Sequence, residues 1–572
     1  MKKPLFEGRY RAWMMLLIIG AILVNIKSIF MDYDVDSEYA VAMAYRMLKG
    51  DMMIAQMWEP HQTSAFLCSW LMKPYISIWG TTTGIVLYLH TWGVFIRGGF
   101  TWFIYRTLKD RINPRALFFM CIYFFSVSPK WLSMPEFSNM QLWFSVGVFC
   151  CLIRFFEKQK AWWWLIGAGI FLFAEVMAYP SCVIVYIGVI ILLFLYSEKK
   201  WMNSLLLTGT CLVMGGGLCA WIFSYTGWER FLENLSYIVT GDEFHDESLF
   251  QKFGNYLLDF GRLMLILLIL FLVAVILAEG WIFLVKRRKG SVSYTRKECW
   301  DCFAAGLLLC FIAVHAIMAK ERYDYVVIYI PIILFAIMRR KDADDYATRV
   351  ITTGMFIGLL SGVATLLLSN LPMTSSMNYL ILAVCVSFIP MIERLENGKE
   401  ISFKRVKYGM VWLFCLITIF RSGYIFKPMN DYIAGIFRVG GIVKDGPALG
   451  IVSEYMGPYI INVTMEEWEQ YVEDGDKVLL VGNTAVSTIG YLYKDTEISV
   501  DSTICTPTYD EKLLKYWEQN PQKYPNVVVV SCWFGELKVA EDSWVMQWLE
   551  TEFRADTVID GQYYRYYLKN ES

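Results

Sequence analysis

The sequence predicts an all-α polytopic membrane protein with about thirteen transmembrane helices, followed by a small α/β domain at the C-terminus. Three observations lead to this fold class. Of the 572 residues, 56% are hydrophobic and only 18% are charged, which is too apolar for a soluble chain of this length. The apolar residues form runs of spanning length, and the composition becomes that of a soluble protein after Phe426.

The formal net charge of -1 provides no basic field for binding nucleic acid.

The predicted transmembrane domain covers residues 1–425, which contain all the apolar runs. A helix needs about twenty residues to cross a bilayer, and several of the runs are shorter than this. The runs cover residues 13–30, 83–105, 116–133, 139–156, 161–178, 180–196, 203–225, 263–285, 303–318, 325–338, 350–368, 378–392 and 408–424.

Lysine and arginine residues fall in every second loop between these spans, as expected of cytoplasmic loops. The clusters lie at residues 2–11, 106–115, 154–160, 199–200, 286–289, 339–341 and 394–407. The N-terminus is therefore predicted to be cytoplasmic, and an odd number of spans places the C-terminal domain outside the cytoplasm. The alternate loops are acidic or mixed, most clearly the predicted external loop 226–262.

Residues 426–572 have the pattern of an extracytoplasmic α/β domain. Lys477–Gly482 and Asn526–Ser531 are short β-branched runs bounded by turn residues, and they predict strands. Met465–Val472 and Tyr509–Gln519 predict helices near these strands. This part of the sequence contains no glycine-rich nucleotide-binding motif, so it gives no support for nucleotide binding.

The predicted first external loop, residues 31–82, begins with three alternating aspartates, Asp32, Asp34 and Asp36. Carboxylates this close together at the end of a membrane helix are costly to desolvate and repel one another. They therefore indicate a cation or a reacting group nearby. The alternative for Asp36 is that it caps the N-terminus of the next helix, a position that aspartate favours.

An interfacial helix is predicted over residues 37–49, with Gly50 just beyond its C-terminal end. The loop then adds Glu59 and His61, which are candidates for the same external cavity as the aspartates. Polar residues of external loops are usually only solvated, and this remains the alternative for both.

Three segments of the loop follow one another in a characteristic order: DSEY at 36–39, LKGD at 48–51 and WEPH at 58–61. This order resembles the GT-C superfamily of polyprenyl-phosphate-dependent glycosyltransferases, especially the protein O-mannosyltransferases and aminoarabinose transferases. That family has a D-E-x-Y type of motif, and Ser37 takes its second position here. The span count, the loop 226–262, a KERY element at 320–323 and the external C-terminal domain extend the resemblance.

The resemblance implies an integral membrane glycosyltransferase that moves a sugar from a polyprenyl-phosphate donor to an acceptor on the extracytoplasmic face. Asp36 would be the catalytic base, with Asp34 as its partner or as the alternative base, and a single displacement would invert the anomeric configuration. The implied substrate-binding residues are Glu59, His61, Lys320, Arg322 and Tyr323. The acceptor stays open among a glycan, a lipid and a protein.

Two features of this implied site have alternatives. Arg322 and Lys320 suit the leaving phosphate, because a guanidinium binds phosphate through two hydrogen bonds, but basic residues at helix ends also extend to the membrane surface. Asp34 and Asp36 have the D-x-D form that holds a divalent ion in the oligosaccharyltransferase catalytic subunit, and their oxygens suit Mg²⁺ or Mn²⁺.

Two other functions compete with this hypothesis. A transporter or flippase of lipid-linked sugars predicts charged groups within several spans and helices interrupted by glycine and proline. This chain instead concentrates its carboxylates in the external loops. A polymerase or ligase of the O-antigen type normally depends on arginine and histidine in a large late loop, whereas the loop 226–262 is acidic and contains one histidine, His245.

Overall fold

The computed structural model describes residues 11–31, 33, 35–129, 132–240, 249–289, 326–340, 344–368, 377–397, 441–453, 456–482, 488–505, 510–533 and 536–569. The helices before residue 400 are α1 (Arg11–Ile29), α2 (Val35–Leu48), α3 (Gln62–Trp79), α4 (Ile85–Leu108), α5 (Pro114–Ser126), α6 (Phe137–Glu157), α7 (Trp163–Ala178), α8 (Val183–Tyr196), α9 (Lys200–Thr226), α10 (Trp228–Thr240), α11 (Leu249–Lys289), α12 (Val326–Arg339), α13 (Asp345–Leu368) and α14 (Ile381–Asn397).

Eleven of the predicted spans fall on these helices, and the runs 303–318 and 408–424 lie outside the described residues. Within the described part, three helices are long and apolar enough to cross a membrane: α6, α9 and residues Asp345–Leu366 of α13. Several other apolar helices, including α5, α7 and α8, are shorter. The helical character of the transmembrane domain is thus confirmed, while the total of about thirteen spans stays a prediction.

Small residues allow the central helices to pack closely. Gly354, Gly358 and Gly362 recur every four residues along α13 and face residues 380–386 at the start of α14. A Cβ atom at Gly358 would lie 2.6 Å from the backbone nitrogen of Ala383, so no side chain fits there. This spacing of small residues is a common means of close helix contact in membrane proteins.

Two ionisable residues within the predicted spans have polar neighbours. Arg97 of α4 donates a hydrogen bond of 3.0 Å to the backbone oxygen of Phe125 at the end of α5. The hydroxyl of Ser361 on α13 donates to Glu175 of α7 at 2.8 Å. Both charged residues are buried. These contacts support a structural role for Arg97 and Glu175 in holding neighbouring helices together.

The predicted external loops contain more helix than expected. The interfacial helix predicted at 37–49 is present as α2, but α3 follows it within the loop 31–82. The loop 226–262 contains α10 and the first turns of α11. The sequence of α3 includes Lys73 and Pro74, which interrupt its apolar run, so hydropathy alone did not indicate a helix there.

The C-terminal region is an α/β domain, as predicted. Its strands are β1 (Gly441–Ile442), β2 (Val452–Ser453), β3 (Lys477–Val481), β4 (Glu497–Ile498), β5 (Val527–Trp533), β6 (Glu536–Leu537), β7 (Thr557–Asp560) and β8 (Tyr564–Leu568); its helices are α15 (Met456–Tyr471), α16 (Ile489–Tyr493), α17 (Asp510–Gln519) and α18 (Trp544–Trp548). The main sheet has the order β4-β3-β5-β8-β7, with β4, β3 and β5 parallel and β8 and β7 antiparallel.

The C-terminal domain and the first external loop share one hydrophobic core. Met43 and Trp58 of the loop belong to the same buried cluster as the central strands β3 and β5. The backbone nitrogen of Trp58 donates to the backbone oxygen of Asp501 at 2.8 Å. The loop therefore packs as part of the domain, although the two are separated by the whole transmembrane region of the sequence.

Candidate functional site

Asp36 lies in the first turn of α2, because the helix begins at Val35. The helix was predicted to start at residue 37, two residues later than it does. A capping residue would lie just before the helix, whereas Asp36 lies within it. A carboxylate in the first turn still has a favourable interaction with the helix dipole. Asp32, Asp34 and the side chain of Asp36 lie outside the described part of the structure, so their roles stay predictions.

A direct contact joins two of the three motif segments. The hydroxyl of Tyr39, the last residue of DSEY, donates a hydrogen bond to the carboxylate of Glu59 in WEPH. Glu59 is buried, so its carboxylate is held in place by this contact and not freely solvated. Because Asp36 and Tyr39 are three residues apart on a helix, they lie on the same face of α2. Glu59 therefore approaches the face that carries the predicted base.

A second carboxylate, Glu38, is buried at the start of α2. Burial and then the charge of Glu38 raise the pKa of the neighbouring Tyr33 well above its usual value. Glu38 is the third residue of the DSEY segment and is not among the predicted site residues. The sequence feature that could have indicated a functional role for Glu38 is its acidic side chain in a region dense with aspartates.

His61 lies where α3 begins, against the start of α6 and the end of α7. Its ring stacks on Phe137 at a centroid distance of 4.1 Å and is tilted toward Tyr179 at 5.2 Å. The hydroxyl of Thr63, two residues further along the chain, donates to the backbone oxygen of Met177 at 2.6 Å. His61 as a whole is partly exposed, and the stacking fixes the orientation of its ring.

Glu136 is a further buried acidic residue in this region and is not among the predicted site residues. Its carboxylate accepts backbone hydrogen bonds from Ser138 at 2.8 Å and Asn139 at 2.7 Å, and so caps α6. The hydroxyl of Ser138 is 2.7 Å from that of Tyr379. The sequence signal for such a cap is an acidic residue directly before an apolar run, here at Pro135-Glu136.

The remaining predicted site residues cannot be placed beside these groups. Lys320, Arg322 and Tyr323 lie outside the described residues, as does Asp34. Within the described ranges, no group of three histidine, cysteine, aspartate or glutamate residues is arranged to hold a metal ion. The metal site predicted on Asp34 and Asp36 involves side chains beyond those ranges and therefore stays a prediction.

The C-terminal end of α2 has the geometry predicted for Gly50. The backbone nitrogen of Gly50 donates to Met47 at 3.1 Å, and that of Asp51 donates to Arg46 at 3.2 Å. Gly50 has a φ of 106°, a value that side-chain-bearing residues rarely adopt. These two bonds form a Schellman motif, which ends the helix and turns Asp51 back toward it.

Asp51 is thereby placed between two buried cations. One carboxylate oxygen forms an ion pair with the guanidinium of Arg46, and the other is 2.7 Å from the ammonium of Lys523 in the C-terminal domain. Lys523 also pairs with Glu497 at 3.1 Å. Burial lowers the pKa of Arg46, but the nearby Tyr516 and Asp51 raise it, and the net direction is upward. Arg46 is buried although it is charged.

A cavity of about 600 Å³ lies at this same end of α2. Its walls include Met47 and Asp51, one face of α3 and Trp221 of α9. Residues 36 and 47 are separated by about 16 Å along the helix, at 1.5 Å per residue. The cavity is therefore too far from Asp36 for a single bound sugar to contact both.

Comparison with known proteins gives structural likenesses alone. No family model and no curated protein matches the chain. A crystal structure of the Archaeoglobus fulgidus oligosaccharyltransferase, tethered to an acceptor peptide, is 11% identical, and the match covers 92% of this chain and 69% of that one with a TM-score of 0.45. ArnT from Cupriavidus metallidurans, bound to undecaprenyl phosphate, is 11% identical over 99% of both chains with a TM-score of 0.42.

Both of these proteins are GT-C glycosyltransferases, the superfamily that the first-loop segments resemble. A further structure of the Archaeoglobus fulgidus oligosaccharyltransferase is a complex with Zn and sulfate, with 11% identity, 90% and 68% coverage of the two chains and a TM-score of 0.43. With TM-scores below 0.5, these likenesses carry no argument about the site, the substrates or the reaction of this chain.

Proposed function

We propose that this chain is an integral membrane glycosyltransferase that transfers a sugar from a polyprenyl-phosphate donor to an acceptor on the extracytoplasmic face. The observation that carries the proposal is the contact between Tyr39 and Glu59. It joins DSEY to WEPH, two segments on which the sequence resemblance rests. If these residues were only solvated, the two segments would not be expected to meet at a buried carboxylate, that of Glu59.

The placement of Asp36 suits a lipid-linked donor. A sugar on a polyprenyl phosphate stays in the membrane, so the catalytic groups must lie where a membrane helix ends. Asp36 lies in the first turn of α2, only a few residues after the end of α1 at Ile29. No step of the proposed reaction requires the donor to leave the bilayer.

The reaction is a single displacement at the anomeric carbon. Asp36 accepts the proton of an acceptor hydroxyl while that oxygen attacks the anomeric carbon. The bond between this carbon and the phosphate oxygen breaks, and the polyprenyl phosphate leaves with the electron pair. Attack from the side opposite the leaving group inverts the anomeric configuration. Asp34 is the alternative base.

The other proposed residues bind the substrates. Glu59 is fixed by Tyr39 on the Asp36 face of α2, where its carboxylate can accept hydrogen bonds from sugar hydroxyls. His61, oriented by Phe137, would contribute a ring nitrogen to the binding of the same sugar. Lys320 and Arg322, with Tyr323, are proposed to bind the leaving phosphate and to stabilise its charge in the transition state.

The proposal is tested by offering the full chain in proteoliposomes a panel of radiolabelled polyprenyl-phosphate sugars, with nucleotide sugars as the control donors. Transfer of label from one lipid-linked sugar to an acceptor, with none from the nucleotide sugars, is the expected result. Movement of lipid-linked sugar between leaflets without any transfer would overturn the proposal in favour of a flippase.

A further inference from the structure

The two ends of α2 are held by different parts of the molecule. Near its N-terminus, Tyr39 contacts Glu59 within the first external loop. At its C-terminal end, Arg46 pairs with Asp51, which pairs with Lys523 of the C-terminal domain. The side chains of Arg46, Asp51 and Lys523 are 1%, 4% and 7% exposed, so these charges are screened little by water.

The guanidinium of Arg46 divides its hydrogen bonds between the loop and the domain. Within the loop it donates to Asp51 and, at 2.5 Å, to the backbone oxygen of Gln56. Within the domain it donates to the backbone oxygen of Ser502 and, at 2.7 Å, to the hydroxyl of Tyr516. Because the donors of a guanidinium have a fixed planar geometry, all these partners are satisfied in one relative placement of loop and domain.

A second set of contacts supports the same placement. Lys49, just after α2, pairs with Asp495 of the domain at 2.9 Å, and the hydroxyl of Tyr45 donates to the same carboxylate. Lys49 and Asp495 are more exposed than Arg46 and Asp51, so their ion pair contributes less to stability. The buried contacts of Arg46 and Lys523 are therefore the main polar link between α2 and the domain among the described residues.

A change at this link would be transmitted along α2. The helix is continuous from Val35 to Leu48, and Arg46 lies about 15 Å along it from Asp36 at 1.5 Å per residue. A shift or rotation at the Arg46 end therefore displaces the turn that contains Asp36. Displacing a reacting group by about 1 Å can slow a reaction by about a hundredfold.

We propose that Arg46 and Lys523 are positioning residues, through which the C-terminal domain holds α2 and the base on it in the reactive position. This inference rests on the proposed function for its kinetic part. It gives the C-terminal domain a role in catalysis that does not require the domain to touch the donor.

The test compares Lys523→Met with Lys523→Arg and with the matched control Lys538→Met in the full-length protein. Lys538 is an exposed lysine of the same domain. Two quantities are measured: kcat and KM for donor transfer, and the rate of amide hydrogen exchange in residues 35–48. Lys523→Met should lower kcat by about ten- to a hundredfold with the donor KM nearly unchanged, and should speed exchange in residues 35–48.

Lys523→Arg retains the charge and should keep kcat within about threefold of the wild-type value, because Lys523 contacts its partners through single oxygens. Glu497→Gln provides a milder variant if Lys523→Met does not fold, and it should change both quantities in the same direction but less. Lys538→Met should change neither quantity.

Unchanged exchange in residues 35–48 of Lys523→Met would overturn the inference whatever the transfer assay gives. Faster exchange with an unchanged kcat would overturn the positioning role, since α2 would then move without consequence for the reaction. Absence of transfer by the wild type would overturn the proposed function alone, and the exchange experiment would still test the link between α2 and the domain.

Discussion

Asp51 of the first external loop and Lys523 of the C-terminal domain form a buried ion pair, with 2.7 Å between the carboxylate oxygen and the ammonium nitrogen. Asp51 is at the same time paired with Arg46, and Lys523 with Glu497. The four side chains balance their charges, which is the condition under which buried ions are tolerated. The pair makes the first loop and the C-terminal domain one structural unit.

Asp51→Asn should destabilise this unit. The substitution removes the charge between Arg46 and Lys523 and leaves two buried cations near each other. Loss of one partner from a buried ion pair typically costs about 3–5 kcal/mol of unfolding free energy. The measurement is the apparent Tm of the detergent-solubilised protein, which should fall for Asp51→Asn. Asp542→Asn, at an exposed aspartate of the same domain, is the matched control and should leave Tm unchanged. Equal Tm values for both variants would contradict the assigned role of Asp51.

Tyr39 and Glu59 should be energetically coupled. Tyr39→Phe and Glu59→Leu each remove one side of the same part-buried hydrogen bond, so the double variant should lose less stability than the sum of the two single losses. A hydrogen bond to a charged group is worth about 1.5–3 kcal/mol, which is the coupling expected. A double-variant cycle on the unfolding free energy measures it. Additive losses would show that the two motif segments do not depend on this contact.

Gly50→Ala should destabilise the end of α2 through the backbone alone. Gly50 has a φ of 106°, and a Cβ atom there would meet nothing within 4 Å. A side chain in this conformation costs about 1–2 kcal/mol. The matched control is Gly99→Ala in α4, where a Cβ also meets nothing but φ is not positive, and where alanine favours the helix. The comparison uses apparent Tm, and a loss at Gly99 as large as that at Gly50 would refute the backbone explanation.

Glu467 of the C-terminal domain should make stability depend on pH. Burial raises the pKa of Glu467 above its usual value of 4.5, although the backbone nitrogen of Gln562 and the hydroxyl of Tyr566 donate to its carboxylate. The folded state therefore binds the proton of Glu467 more tightly than the unfolded state does. The contribution of the protonated carboxyl to the unfolding free energy is fully present below pH 4.5 and is lost as pH rises through the raised pKa.

Glu467→Gln should remove this dependence. As pH increases above about 4.5, the apparent Tm of the wild type should fall relative to that of Glu467→Gln. The difference should become constant once the carboxyl of Glu467 is ionised in both the folded and the unfolded state. A difference that does not vary between pH 4 and pH 8, or that varies in the opposite direction, would show that burial does not dominate at Glu467.

Much of the fold followed from periodicity and composition. The apolar runs located the helices because a spanning helix needs a long apolar segment whatever it packs against. The strands β3 and β5 and the helix α2 were located by their β-branched runs and by Gly50. The helix α3 was not predicted, because Lys73 and Pro74 break its apolar pattern while its neighbours supply the packing.

The candidate site was less accessible to sequence reasoning. Glu59 and Tyr39 could be named as parts of motifs, but their mutual contact depends on a return of the chain that local patterns do not encode. The burial of Arg46 could not be inferred, since its partners Tyr516 and Ser502 come from the other end of the sequence. Such long-range pairs depend on how the C-terminal domain docks, and no local propensity specifies that.

The rate of sugar transfer by Asp36→Asn decides whether Asp36 is the base, and it is measured beside the wild type and Asp34→Asn at equal amounts of folded protein. The substitution keeps the size of the side chain but removes its ability to accept a proton. The account predicts a loss of at least about a hundredfold in kcat for Asp36→Asn, the contribution of a general base, and a smaller loss for Asp34→Asn. Wild-type kcat in Asp36→Asn would contradict the account.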